Sequence, residues 1–214
     1  MKKSRIVFVV ALAFAGVSCA ASNTVGNVLG YTRVTIPSNQ YVLVSLDFNN
    51  ASNTIDDLFG NLPTGSAVYF WDTAAQNYNT VAKLRTGWEN SGTNRVQIGA
   101  GAFIRLPTGV QTNVLLSGNV PTAGTTTVYT AIGYSLVSYP YPVLMSFTNT
   151  TLAKTAATGD QIALWQTNSW TIYSKTRAGW IGAESLEIKP GQGFFFQAAG
   201  SGSADEICPS YTID

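Results

Sequence analysis

The chain contains no histidine. This absence excludes Ser-His-Asp and Cys-His catalytic groups, histidine metal sites and the usual base at neutral pH. Charged residues are also scarce, at 11% of the chain, and three of the 12 basic residues, Lys2, Lys3 and Arg5, lie at the extreme N-terminus. The remainder carries 9 basic against 11 acidic residues, so nothing in its charge attracts nucleic acid or acidic membranes.

Cysteine is rare too, since the chain has only Cys19 and Cys208. Two cysteines do not make a disulfide framework, and Cys208 is alone if Cys19 is removed with an N-terminal leader. A lone thiol in an exported chain is buried, reactive or paired between molecules. We predict that Cys208 is a small buried residue, because free cysteine is often buried.

Motifs for phosphate or metal binding are missing as well. The two-glycine segments Gly99–Gly101 and Gly191–Gly193 lack the third glycine, the lysine and the following helix of a phosphate-binding loop. We predict that both are hairpin turns. No calcium-loop pattern is present. The sequence therefore predicts no cofactor and no metal site.

Carboxylates are the remaining candidates for acid–base catalysis, as in a glycosidase with two acids. None of them has a recognisable catalytic context, and the adjacent pairs Asp56-Asp57 and Asp205-Glu206 stand in turn-like surroundings that favour surface charges. We predict no catalytic residue and a protein that is not an enzyme. The candidates are Asp47, Asp56, Asp57, Asp72, Glu89, Asp160, Glu184, Glu187, Asp205 and Glu206.

The N-terminus has the three parts of a secretory signal peptide. A basic start precedes the apolar run Ile6–Val17, which is too short to span a membrane comfortably, and small residues follow at Ser18–Ser22. We predict a signal peptide over residues 1–20 with cleavage before Ala21; the alternative is a lipid anchor at Cys19. Either reading predicts an exported protein in the extracellular space, at the cell surface or in the periplasm.

The rest of the chain repeats itself. When Ala74-Ala75 is omitted, Thr64–Trp88 aligns with Thr158–Trp180 at 23 positions, of which 8 are identical. The match continues upstream, where Tyr41–Ser45 faces Tyr134–Ser138, and downstream, where Val96–Gly109 faces Leu186–Gly200 with one extra residue. We therefore predict two β-repeat units, over residues 21–120 and 121–214.

Each unit is predicted to consist of strands, because apolar runs and period-two alternation are bounded by turn residues. The fold class is all-β, with two homologous antiparallel β-sandwich-like or barrel-like repeats, in tandem or sharing a core with pseudo-two-fold symmetry. Ile55–Leu58 and Leu152–Ala156 are each predicted to form one helical turn. In the downstream alignment Phe194–Phe196 corresponds to Phe103–Arg105. We therefore predict that Phe194 lies in the core, that Phe195 faces a covered layer, and that Phe196 lies at the rim, where the first unit has an arginine.

The tryptophans divide into two groups. Trp71, Trp88, Trp165 and Trp180 recur at matching places in the two units, which favours packing. Trp170 lies beside the Asn168-Ser169 turn and matches Tyr78, so these two aromatic residues are the candidates for ligand contact. The Lys-x-Arg-x-Gly-Trp elements at Lys83–Trp88 and Lys175–Trp180 predict an arginine that stacks on tryptophan or binds loop carbonyls; the alternative is an anion site.

Several segments resemble repeats of large secreted bacterial surface proteins. These repeats carry a G-x-N-L-x-x-N-P-Y-P strand, then a V-Y-x-W-D strand and an I-x-P-G-Q-G-F-F-V hairpin. The matching segments are Tyr134–Pro142, Val68–Asp72, Ile162–Gln166 and Ile188–Phe196. The first unit lacks the Asn-Pro-Tyr-Pro signature at Leu46–Phe48. The resemblance implies an all-β fold and a cell-surface location, without implying a catalytic role.

Two functional hypotheses follow. The first is a non-catalytic exported protein with a structural, adhesion or interaction role at the cell surface or envelope, through protein or glycan contacts. The alternative is a carbohydrate-binding module that uses the exposed aromatic residues Trp170 and Tyr78. An acid-residue hydrolase is a more distant third.

Overall fold

The structure is a computed structural model that describes residues 28–49, 52–89, 95–122, 124–166 and 168–210. The predicted signal peptide, with Cys19, lies outside the described residues. Within the described ranges no helix has both the length and the apolar character that a membrane crossing requires.

The regular elements of the described chain are short strands, two single-turn α-helices and one 3₁₀ turn. The α-helices are α1 (Ile55–Phe59) and α2 (Thr151–Thr155), at the places where the sequence predicts helical turns, and the 3₁₀ turn is Phe147–Asn149. The strands are β1 (Leu29–Ile36), β2 (Tyr41–Ser45), β3 (Ala67–Asp72), β4 (Asn77–Leu84), β5 (Gly87–Trp88), β6 (Gly101–Arg105), β7 (Thr112–Asn119), β8 (Thr125–Thr130), β9 (Gly133–Ser138), β10 (Met145–Ser146), β11 (Gln161–Gln166), β12 (Ser169–Thr176), β13 (Gly179–Trp180), β14 (Glu187–Ile188), β15 (Gly193–Ala198) and β16 (Gly202–Ile207).

The fold is all-β and its sheets are antiparallel, which confirms the predicted fold class. Two five-stranded sheets have the orders β2-β6-β3-β4-β5 and β9-β15-β11-β12-β13. The two sheets share one topology. In each, the strand that comes last in the chain lies between the first and the second, and the third and fourth strands follow at the far edge. That the two sheets belong to homologous repeats, in tandem or around a pseudo-two-fold core, stays a prediction.

Two-stranded ribbons accompany the sheets. β1 pairs with β7, β8 pairs with β16, and the short strands β10 and β14 pair with each other. Every strand pairing in the sheets and ribbons joins two strands of the same predicted unit. Among the described residues, one isolated β-bridge, from Ala100 to Val137, connects the two units. The unit boundaries themselves stay predictions.

Each sheet covers a core of its own. Ile55 and Phe59 of α1 pack into the first core with Val68 of β3, and Leu152 of α2 packs into the second with Ile162 of β11. A third apolar cluster, centred on Phe103 and Phe195, lies between the two sheets. Since successive side chains of a strand point to opposite faces, the central strands serve both a core and this third cluster.

The three phenylalanines of β15 show this arrangement directly. Phe194 and Phe196 belong to the second core, whereas Phe195 belongs to the cluster between the sheets. The prediction of a rim position for Phe196 is wrong, because its side chain is only 2% exposed. A strand covered on both faces needs an uninterrupted apolar run, which is why three aromatics occur in a row.

The register also corrects the alignment of the two units. Leu136 of β9 stands opposite Phe195, as Leu43 of β2 stands opposite Phe103. Phe195 therefore corresponds to Phe103, and Phe196 corresponds to Ile104. The offset between matching residues of the two strands is therefore one residue larger than the sequence alignment assumes.

The two glycine turns are not hairpin turns, contrary to the prediction. β14, before Gly191, pairs with β10, whereas β15, after it, pairs with β9 and β11. The turn chemistry is nevertheless right, since Gly99 and Gly191 have φ of 80° and 75°, a region that favours glycine. Each turn reaches the other unit: the Ser138 amide donates to Gly99 O at 2.9 Å, and the Ser45 amide donates to Gly191 O at 3.0 Å.

The Lys-x-Arg-x-Gly-Trp elements hold the helices to the sheets through lysine. Lys83 Nζ lies 5.3 Å from the Trp88 ring centroid and donates to Gly60 O at 2.9 Å; Lys175 Nζ lies 5.6 Å from the Trp180 ring centroid. Both tryptophans are buried, as predicted. The cation over each tryptophan ring is thus lysine and not the predicted arginine, and the two arginines, Arg85 and Arg177, are exposed.

Two further expectations need correction. Asp205 and Glu206 were predicted as surface charges in a turn, but both lie in the strand β16. Asp205 is exposed, whereas Glu206 is buried and accepts hydrogen bonds from the first amides of α2, Thr151 N at 2.9 Å and Leu152 N at 2.8 Å.

Cys208 was predicted to be buried, but it is only half-buried. Its Sγ donates to Pro121 O at 3.3 Å.

Candidate functional site

The two five-stranded sheets face each other across the third apolar cluster. Phe103 of β6 and Phe195 of β15 form its buried floor. Half-buried Trp71 and Trp165 pack against that floor from β3 and β11. This arrangement leaves an open space lined with aromatic side chains where the sheets diverge, and we call it the aromatic cleft.

Reciprocal indole hydrogen bonds join the sheets at the aromatic cleft. Trp71 Nε1 donates to Tyr134 O of the second unit at 2.7 Å, and Trp165 Nε1 donates to Tyr41 O of the first unit at 2.9 Å. Gln76 adds two bonds to Tyr134, from its Nε2 to Tyr134 O at 3.0 Å and from Tyr134 N to its Oε1 at 2.8 Å. The prediction that Trp71 and Trp165 are core residues is therefore only partly right, because both are also walls of the cleft.

The aromatic cleft contains two cavities. Cavity one has a volume of about 290 Å³ and cavity two a volume of about 340 Å³. Cavity one is lined by Trp71, Tyr78, Tyr134, Gln161, Ala163, Trp170, Ile172, Phe195 and Gln197. Cavity two is lined by Tyr41, Tyr69, Tyr78, Thr80, Phe103, Trp165 and Trp170.

Trp170 and Tyr78, the two ligand-contact candidates from the sequence, line both cavities. Each follows a tight turn and stands opposite a tryptophan on the preceding strand, Trp170 opposite Trp165 and Tyr78 opposite Trp71. The ring centroids of these pairs are 4.9 Å and 4.8 Å apart. Trp170 is 39% exposed and Tyr78 is 41% exposed, so both rings remain accessible at the mouth of the cleft.

The lining of the cleft is uncharged. The side chains around the two cavities include no lysine, arginine, aspartate or glutamate among the described residues. Burial raises the pKa of the Tyr78 phenol to about 12, so this hydroxyl stays protonated at neutral pH. Hydrogen-bonding capacity comes from the Gln161 and Gln197 amides in cavity one, from the Thr80 hydroxyl in cavity two and from tyrosine hydroxyls in both.

The buried carboxylates lie elsewhere and bind backbone amides. Asp160 accepts from Ala157 N at 2.8 Å and from Ala199 N at 3.1 Å, while Glu206 holds α2. Asp47 accepts from Gly191 N and from Ser45 Oγ, and its burial raises the pKa of this carboxyl to about 7. No three metal-ligating side chains form a group in the part of the chain that the structure describes.

Sequence reasoning missed most of the aromatic lining, since it singled out only Trp170 and Tyr78 for ligand contact. Tyr41 and Tyr134 each line one cavity, and Phe103 and Phe195 supply the floor. A signal was present, since the tyrosines recur at the start of matching strands. It was indistinguishable from ordinary strand composition, because tyrosine is common in strands that contact no ligand.

Comparison of the chain with protein-family models, curated proteins and solved structures found no match.

Proposed function

We propose that this protein is a non-catalytic exported binding protein of the cell surface or envelope, and that its aromatic cleft binds a neutral carbohydrate. The observation that carries the proposal is the uncharged pair of cavities with Trp170 and Tyr78 as accessible walls of both. A binding site that combines mostly apolar lining with a few polar groups is typical of small-molecule recognition.

The lining matches the chemistry of a sugar ring. A pyranose presents apolar C–H groups on its faces and hydroxyls at its edge, so it requires aromatic faces together with uncharged hydrogen-bonding groups. Trp170 and Tyr78 supply the aromatic surface, and Gln161 and Gln197 supply amide donors and acceptors. Cavities of about 290 and 340 Å³ are at the small end of ligand sites, which suits one sugar ring in each.

Export is supported by the sequence alone. The basic start, the apolar run Ile6–Val17 and the small residues after it form the signature of a signal peptide. The resemblance to repeats of secreted bacterial surface proteins agrees with the same location. A carbohydrate ligand would then be part of an envelope, a matrix or a neighbouring cell.

Removal of the Trp170 ring is the first test. We expect Trp170→Ala to weaken binding on an array of neutral glycans by about tenfold or more, the usual size of effect for an aromatic hot-spot residue. Tyr78→Ala should act in the same direction, whereas Tyr129→Ala, which removes an exposed tyrosine that lines neither cavity, should leave binding unchanged. If wild-type protein binds no glycan, or if both cleft variants bind as it does, the carbohydrate proposal is wrong.

An adhesive or structural role is the second candidate, and an exposed apolar ribbon face favours it. Leu29 and Tyr31 of β1 point to the same face as Leu115 of β7, because Leu115 stands opposite Arg33, and all three apolar side chains are exposed. This role predicts concentration-dependent assembly in sedimentation velocity that Leu115→Ser weakens and Trp170→Ala does not affect. A protein that remains monomeric at every concentration would contradict assembly through this face.

A further inference from the structure

We propose that the aromatic cleft binds one linear neutral oligosaccharide that spans both cavities, with its central sugar over Trp170. This inference rests on the proposed carbohydrate-binding function and defines its ligand class: a chain of three or more sugars, and not separate monosaccharides.

A continuous series of aromatic rings connects the two cavities. It runs from Trp71 in cavity one through Phe195 and Trp170 to Trp165 in cavity two. Neighbouring ring centroids in this order are 5.0, 5.5 and 4.9 Å apart. Adjacent rings are inclined to one another by 82°, 56° and 59°, so the series offers a sugar chain ring edges as well as ring faces, at intervals comparable with the length of one pyranose unit.

The cavities are also not independent sites. Trp170 and Tyr78 are walls of both, and each ring lies against both floor residues: the Trp170 centroid is 5.5 Å from Phe195 and 6.0 Å from Phe103, and the Tyr78 centroid is 6.4 Å and 6.0 Å from the same rings. Each of these two rings borders both cavities, so a chain that continues from one cavity along the Trp170 ring reaches the other cavity.

The indole N–H groups of the outer tryptophans are already used. Trp71 Nε1 and Trp165 Nε1 donate to backbone carbonyls across the sheet junction, at 2.7 Å and 2.9 Å. These indoles are thereby held in position without a ligand, and what they offer to a ligand is ring surface. A preformed row of ring surfaces favours an extended chain, because little ordering of the protein is needed on binding.

The two cavities differ in their polar groups, which gives the bound chain a direction. Cavity one contributes the amides of Gln161 and Gln197 together with the Tyr78 and Tyr134 phenols. Cavity two contributes hydroxyls alone, from Thr80, Tyr41, Tyr69 and Tyr78. One end of a glycan chain therefore meets amide groups that the other end lacks.

Chain length is the variable that tests the proposal. The probes are neutral gluco-, xylo-, manno- and N-acetylglucosamine oligosaccharides of one to six sugars, titrated calorimetrically into the full mature protein. For the series that binds, we expect affinity to rise by about tenfold or more from disaccharide to hexasaccharide, since linked subsites bind one chain more tightly than separate sugars. We also expect one hexasaccharide per protein but two disaccharides.

Single variants in each cavity complete the test. Gln197→Ala in cavity one and Thr80→Val in cavity two should each lower hexasaccharide affinity several-fold and weaken one of the two disaccharide sites. If the hexasaccharide binds no more tightly than the disaccharide, or if two hexasaccharides bind, the spanning chain is wrong while carbohydrate binding stands. If no probe of any series binds, both proposals are wrong.

Discussion

A Phe196→Arg variant is expected to remain unfolded at 25 °C in the absence of denaturant. Phe196 is buried in the second core, with its ring 6.4 Å from that of Trp180. Loss of a buried phenylalanine side chain costs about 3–5 kcal/mol, and an unpaired buried charge adds several more. The total exceeds the lower part of the usual range of domain stability, about 5–15 kcal/mol. Circular dichroism and urea unfolding would measure this loss.

Gln197→Arg is the matched control one residue later. Gln197 stands opposite Tyr134 as Arg105 stands opposite Tyr41, and the Arg105 guanidinium lies 5.6 Å from the Tyr41 ring centroid. An arginine at position 197 can adopt the same stacking at the edge of the cleft, so we expect a change in stability below about 1 kcal/mol. Normal folding of Phe196→Arg with unfolding of Gln197→Arg would contradict the register described above.

The Asp47→Asn variant is expected to be more stable than the wild type above pH 7 and equally stable near pH 4. Asp47 is buried where the Gly191 turn of the second unit meets the first unit, and it accepts from Gly191 N and Ser45 Oγ. Asparagine keeps one acceptor for the Gly191 amide, and the Ser45 hydroxyl can rotate to accept from its NH₂ group. The substitution therefore removes the charge and retains the hydrogen bonds.

Asp47→Asn stabilises the protein because the Asp47 carboxyl is buried. Burial raises the pKa of this carboxyl from 3.8 to about 7, although its two hydrogen bonds act to lower it. Below pH 4 the carboxyl is protonated in the folded and unfolded states. Between pH 4 and 7 it ionises only in the unfolded chain, which stabilises that chain, so the folded protein loses stability as the pH rises. A rise in pKa of this size corresponds to about 4 kcal/mol.

The measurement is the urea midpoint of both proteins from pH 4 to pH 8. Asp72→Asn provides a control of opposite sign, because amides at Ala75 and Ala74 lower the pKa of the exposed Asp72 carboxyl. That variant should lose stability relative to the wild type above pH 4. Parallel pH profiles for the wild type and Asp47→Asn would show that Asp47 ionises normally in the folded protein.

Several elements were predictable because their causes are local. The helical turns α1 and α2 lie where the sequence predicts them. Gly99 and Gly191 have the positive φ that their turn context implies. Trp170 and Tyr78 could be singled out because each follows a turn at the same place in its unit.

The cleft itself could not be predicted in this way, because it joins residues that are distant along the chain. Trp165 donates to Tyr41 O across 124 positions, and nothing near either residue specifies that partner. The burial of Asp47 likewise depends on Gly191, which is 144 positions away. Such contacts arise only when the two sheets meet.

The sequence by itself determined an all-β chain, its strands and turns, and the aromatic residues available for a surface, because alternation and turn chemistry act over a few neighbouring residues. The tertiary structure alone decided the one-residue register of Phe194–Phe196, the burial of Asp47 and the meeting of both sheets around Phe103 and Phe195. The physical reason is that a strand has two faces, and its sequence does not state which other surface will cover the second one.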